Sequence, residues 1–186
     1  MKAYEARVGF APTGNFARES NEAFPGRCYY TGPLELPDTY RALKVVAAVD
    51  GRCGIDESRF DVFAYALETA ATGSSPVTPA MRGATLERLL MLVPHEDFHN
   101  QPEARSAPPA TAEAAAMLAG FVTAAGFARE HYGADSPIVQ HLAAEAAIFA
   151  TKATTVNRYF DEIGRFYTTY RSEGLTDEQA DRKSVV

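Results

Sequence analysis

The chain has 186 residues, 46% hydrophobic and 23% charged, with a formal net charge of −6 and a pI near 5.2. That length gives room for one well-buried core and no obvious room for two, and the composition is that of a folding chain. The acidic balance offers no basic face to track a phosphate backbone, which argues against nucleic acid as a partner and for a peptide or small ligand. We therefore expect a single domain spanning 1–186, with one or both ends open to truncation.

No stretch reads as the roughly 18 consecutive apolar residues of a membrane span, and Met1 to Phe16 lacks the hydrophobic core of a signal peptide. A cytoplasmic protein without a membrane span is the expectation. The two cysteines, Cys28 and Cys53, are not in a CxxC spacing. The compartment rule favours free thiols, with a single bridge as the alternative if an export signal is missing from this chain.

Residues 1–80 are punctuated by Pro12, Gly14, Pro25, Gly26, Gly32, Pro33, Pro37, Gly51, Gly54, Gly73, Pro76 and Pro79, which leaves space for short strands and one or two helices. The spacing of Tyr40, Leu43, Val46 and Ala47 after a capping Asp38 predicts a helix over Thr39 to Val49. Phe60, Val62, Phe63 and Tyr65 predict a strand from Phe60 to Leu67. From Ala80 the pattern is helical. A first helix is expected from about Ala84 to Asn100, apolar on all sides through Leu89, Leu90, Met91, Leu92 and Val93 and so buried. A second begins after Ser106 or Pro109 and ends near Gly133. A third starts with Ser136 as N-cap and Pro137 in its first turn and continues to about Ser172. Thr176 with Gln179 is a capping-box signature for one more helix. The sum is an α+β domain, with a small sheet in the first half and a mostly helical second half.

The chemistry lies in His95-Glu96-Asp97-Phe98-His99, an HExxH motif on the first of these helices. Residues four apart share a helix face, so both imidazoles can reach one zinc ion at about 2.0–2.1 Å. Glu96 points about 100° round the helix, where it can act on a water molecule instead of ligating. Zinc lowers the pKa of its bound water towards ~7 and polarises a carbonyl, and the carboxylate takes the proton and returns it to the leaving amine. Without a metal, the two histidines would be polar residues near a helix C-terminus, where a cation favours the dipole. The apolar run before them argues otherwise, because buried imidazoles need polar partners. Pro94 removes a helix hydrogen bond and is expected to kink this turn.

A catalytic zinc needs a third protein ligand and an open position. Glu113, near the start of the next helix, is the candidate, since Gln101-Pro102 and Pro108-Pro109 let the chain turn back. Glu145 is the fallback. Tyr159 and Tyr167 on the third helix are the candidates for a hydroxyl that stabilises the oxyanion, against core packing as the plainer role. His131 and His141 lie near helix ends and are expected to cap or face water.

The stretch from His95 to Gln101, followed by Glu113-Ala114-Ala115 and by Val156-Asn157-Arg158-Tyr159, resembles the bacterial family of predicted aminopeptidases in the zincin-like superfamily. Phe60 to Pro79 is similar to the strand and loop ahead of that family's metal helix, and Tyr167 to Lys183 to its C-terminal region. The resemblance covers the last two-thirds of the chain. It implies a zincin-like fold, one zinc ion, a peptide substrate and a glutamate third ligand in an Asn-Glu-x-x-Ala setting. Glu113 matches that glutamate, whereas Ala112 stands where the family has asparagine. Members tend to be longer at the N-terminus, so Met1 to Leu36 is expected to be divergent or incomplete.

Two other readings stay open. Glu96-x-x-His99 is also half of a di-metal carboxylate motif, but the chain has no second copy. A non-catalytic metal-binding or interaction protein could also retain the zincin core without turnover.

Overall fold

The computed structural model describes residues 1–23, 26–37, 43–49, 51–65 and 68–184. They divide into two compact units, one of Met1–Pro25 with Ala66–Ala147 and one of Gly26–Tyr65 with Ile148–Val186. The architecture is α+β.

The first unit is helical. It contains α1 (Lys2–Arg7), α2 (Pro79–Arg82), α3 (Leu86–Phe98), α4 (Pro102–Ser106), α5 (Pro109–Tyr132) and the opening of α6 (Pro137–Thr169), through Ala147. Local chemistry sets the ends. The Thr85 hydroxyl accepts from the Arg88 amide at 3.3 Å to cap α3, and Thr78 does the same for α2 through Met81. α5 opens on Pro109 and stops at Gly133, whose φ of 87° is left-handed backbone that suits glycine. Ser136 Oγ accepts from the Val139 amide at the start of α6. The bounds of α3, α5 and α6 match those expected from the sequence to within a few residues, whereas α1, α2 and α4 were not expected.

The main packing within the unit is α3 on α5. Ala112, Ala116, Gly120, Ala124 and Ala128 recur every fourth residue on α5 and are all buried. Small residues at this spacing form a shallow groove that lets another helix approach closely. At Gly120 the approach is so tight that a Cβ would stand 2.9 Å from the Met91 carbonyl oxygen and 3.3 Å from His95 Cβ. Leu90 and Met91 of α3, Ala124 and Ala128 of α5, and Val139 and Leu142 of α6 make one core.

By length and composition α5 could cross a bilayer, with a mean hydropathy of 1.3 over its most apolar window. The sequence expectation of no such stretch underestimated the contribution of its alanines. The helix carries Glu113 within it and buries its small-residue stripe on α3, while Leu118 and Val122 are exposed and 28% of its most apolar window is buried.

The second unit holds an antiparallel three-stranded sheet in the order β2-β1-β3, formed by β1 (Arg27–Thr31), β2 (Lys44–Ala47) and β3 (Asp61–Tyr65). The rest of α6 and a last helix, α7 (Asp177–Ser184), complete it. β3 falls where the strand was expected; Ala66 and Leu67 lie outside the described residues. The capping box at α7 forms as read, with the Thr176 amide donating to Gln179 Oε1 at 2.9 Å and the Gln179 amide to Thr176 Oγ1 at 3.2 Å.

Two expectations are corrected here. The helix expected from Thr39 to Val49 is a strand where it is described, Lys44–Ala47, and Asp38 to Arg41 with Ala42 lie outside the described residues. Cys28↔Val46 and Tyr29↔Val45 pair across the ladder, and this cross-strand pairing of β-branched residues overrides a helical spacing that was real but local. The cysteines are not free thiols: Cys28 on β1 and Cys53 are joined by a disulfide, with Cα atoms 5.5 Å apart.

Candidate metal centre

The last turns of α3 carry three different environments on three sides of one helix. His95 and His99 face α5, where His95 is buried and His99 half-buried. Their Nε2 atoms are 3.3 Å apart, with the rings edge to face at 4.8 Å. α3 runs through Pro94 as one helix, although the ring leaves the Leu90 carbonyl without its usual donor.

The short α4 turns the chain back so that α5 lies against α3. Glu113 then meets both imidazoles, with Oε1 3.4 Å from His95 Nε2 and Oε2 3.2 Å from His99 Nε2. Among the described residues this is the group of His, Cys, Asp or Glu whose ligating atoms converge. The contacts with the two histidines hold the Glu113 carboxyl far below the usual carboxylate range, against the opposing effect of its burial.

The residues fit a metal ion on two grounds. Donors bound to a tetrahedral zinc at about 2.0–2.1 Å stand roughly 3.3 Å from one another; here the two Nε2 atoms are 3.3 Å apart, Glu113 reaches them through different oxygens, and with one ligand atom from each residue the three lie within 4.8 Å of one another. The donor set is also of the right kind, since two neutral imidazoles and one carboxylate are the protein ligands that a catalytic zinc takes. A cation at the centre would satisfy all three donors at once.

Glu96 is buried, and it lies near enough to feel the charges of His95, His99 and Glu113. Burial is the main cause that raises its carboxyl above the ordinary range, with Glu113 adding to it, while the His95, His99 and Arg88 charges pull the other way. Its backbone carbonyl accepts from Asn100 Nδ2 at 3.0 Å, which helps to close the helix end.

Asp97 faces the third side, and the sequence reading gave it no role. It is 1% exposed, and its Oδ1 accepts from Thr13 Oγ1 at 2.5 Å and Asn15 Nδ2 at 3.0 Å while Oδ2 pairs with Lys2 Nζ. One turn on, Gln101 bonds the Ala11 backbone twice, accepting from its amide at 2.7 Å and donating to its carbonyl at 3.2 Å. The N-terminal segment is thus strapped to the back of the helix whose front carries the histidines. An acid inside the motif, followed four residues later by an amide, was the available signal. Gly120 was also missed, although small residues every fourth position could have marked it.

His95 Nδ1 is buried without a hydrogen-bond partner, so the outer-shell acceptor that commonly orients a ligating histidine is lacking there. Glu145, the fallback ligand, is exposed on α6, as is His141. His131 stacks on Phe127 at 3.9 Å with Nδ1 2.9 Å from the Phe127 carbonyl. Tyr159 and Tyr167 belong to the second unit, whereas the centre is built from first-unit residues alone.

Compared with protein-family models, with curated proteins and with solved structures, the chain matches none of them.

Proposed function

We propose that the chain is a zinc metallopeptidase with a zincin-like arrangement, and an aminopeptidase on the strength of the sequence resemblance. The observation that carries the reading is the convergence of His95 Nε2, His99 Nε2 and the Glu113 carboxylate beside a buried Glu96. One zinc ion, when bound, would supply Lewis acidity to a peptide carbonyl and to a water molecule.

The remaining work falls to the chain. His95, His99 and Glu113 hold the ion and leave a position open. Glu96 accepts a proton from the attacking water and delivers it to the departing amine, a task suited to a carboxyl whose affinity for protons is raised by burial. The Cys28–Cys53 bridge favours an oxidising compartment over the cytoplasm expected from the sequence. No membrane span is part of this proposal, because α5 carries Glu113, a proposed ligand, on the helix that would have to cross.

The test is metal content by elemental analysis after zinc reconstitution and desalting, for the wild type, His99→Ala and Glu113→Ala. One zinc per wild-type chain and none in either variant is expected. A reconstituted wild type without zinc would sink the peptidase reading together with the site.

A further inference from the structure

Pro94 stands immediately before the first histidine of the motif, buried inside α3, and it leaves the Leu90 carbonyl without an amide donor. A missing helix hydrogen bond is where helices bend. The turn from His95 to His99 is therefore joined to the rest of α3 more loosely than a regular turn would be. Yet two imidazoles that must meet a carboxylate on another helix need that turn held in one orientation.

The side chain that can hold it is Asp97, two residues from each histidine and so about 200° round the helix from both. It is 1% exposed and receives Thr13, Asn15 and Lys2. Asn15, itself 1% exposed, uses both ends of its amide, donating Nδ2 to Asp97 Oδ1 at 3.0 Å and accepting from the Ser75 amide at 3.0 Å. The amides of Gly14 and Phe16 bond the carbonyls of Gly73 and Ser75 at 2.8 and 2.6 Å, so the segment is anchored beyond the helix as well. Phe16 takes a φ of 62°, left-handed backbone that persists in a phenylalanine only where the surroundings impose it. Apolar side chains would fill this space with less desolvation, whereas a bonded polar cluster fixes one geometry.

We propose that Asp97 and the Thr13–Asn15 segment are a positioning device for the metal ligands, holding the turn after Pro94 at the rotation that brings His95 and His99 to Glu113. This rests on the metal reading above. Each of these residues acts through α3 from the side away from the imidazoles, so they are positioning residues and not catalytic ones.

The test is the zinc dissociation constant of folded protein, measured by competition with a chelating dye, for the wild type, Thr13→Val and Thr13→Ser, each also combined with Pro94→Ala. Thr13→Val keeps the shape and removes the hydroxyl. It should weaken zinc by about 10–100-fold, the scale on which losing a group that orients metal ligands acts. Thr13→Ser keeps the hydroxyl and should bind zinc nearly as tightly as the wild type. Pro94→Ala returns to Leu90 the amide donor it lacks, and should shrink the loss caused by Thr13→Val several-fold, a coupling that a plain contribution to fold stability does not produce. Should Thr13→Val fail to fold, the half-exposed Lys2 supplies the pair Lys2→Met, which loses the bond to Asp97, and Lys2→Arg, which keeps the charge. Zinc affinity unchanged in the folded variant, a conservative variant as weak as the disruptive one, or a loss equally large without Pro94 would each overturn the proposal and leave the metal site standing. A wild type that binds no zinc would overturn it together with the metal reading.

Discussion

A carboxylate acts as a general base near neutral pH only when its surroundings make the proton welcome, and burial does this for Glu96. Glu96→Gln keeps size and shape while removing the base. It should retain one zinc per chain, and kcat for peptide hydrolysis should fall by about 10²–10⁴-fold; a variant that hydrolyses at the wild-type rate assigns the proton transfer elsewhere. Glu5 presents the same physics with a different consequence. Its carboxyl, raised from 4.5 to about 7 by burial and then by Asp97, stays protonated in the folded chain while the unfolded chain has already released the proton. For an acid raised on folding, the favourable contribution is complete below the unfolded value and is lost as pH rises towards the folded one. The wild type should therefore lose stability relative to Glu5→Gln between pH 4.5 and 7. Melting curves should show a small difference between the two proteins at pH 4.5 and, at roughly 2–4 °C per kcal/mol, a gap of several degrees in favour of the variant at pH 8. A gap that does not change with pH would mean that Glu5 is ionised in the folded chain throughout.

At the scale of elements, the centre depends on how closely α5 approaches α3, and Gly120 sets that distance. Gly120→Ala would normally favour a helix, yet here the added Cβ would meet the Met91 carbonyl oxygen at 2.9 Å, and backbone cannot swing aside as a long side chain can. The helices should separate at the level of His95, so Gly120→Ala should destabilise by about 1–3 kcal/mol and weaken zinc binding. Gly164, also helical, would find only Leu36 Cδ2 at 3.6 Å, an ordinary contact, so Gly164→Ala should stabilise by up to about 1 kcal/mol. Denaturant melts with zinc titrations on both variants check the pair, and a Gly120→Ala protein as stable and as tight for zinc as the wild type would refute the close-packing argument. What the sequence made legible follows the range of the forces. Thr176 with Gln179, and Ser136 with Pro137, act within one helical turn, and their helices could be read from neighbours alone. HExxH is legible for the same reason, since its two imidazoles are brought together by a single turn. β2 was misread because its partner β1 lies outside the segment whose spacing was read, and the Asp97 strap went unseen because Lys2, Thr13 and Asn15 reach it from far earlier in the chain.

For the molecule as a whole, the distribution of chemistry between the two units decides what each can lose. All the proposed ligands, and the strap behind them, lie in the first unit, while the disulfide lies in the second, where it ties the central strand β1 to the loop after β2. Closing a loop between residues separated by 25 positions restricts the unfolded chain by about 3.5 kcal/mol on the chain-entropy account, so its loss should matter to a unit with so small a sheet. Reduction by a phosphine, chosen because a thiol would compete for zinc, should therefore lower the melting temperature of the second unit. Zinc in the first should be retained. Cys28→Ala with Cys53→Ala should behave like the reduced protein. The measurement is a calorimetric scan of oxidised, reduced and double-variant protein, with zinc content determined on each. A lower transition with zinc held at one per chain means that the centre is sustained by α3 and α5 alone. Zinc released on reduction would mean instead that the first unit alone does not sustain the ligand geometry.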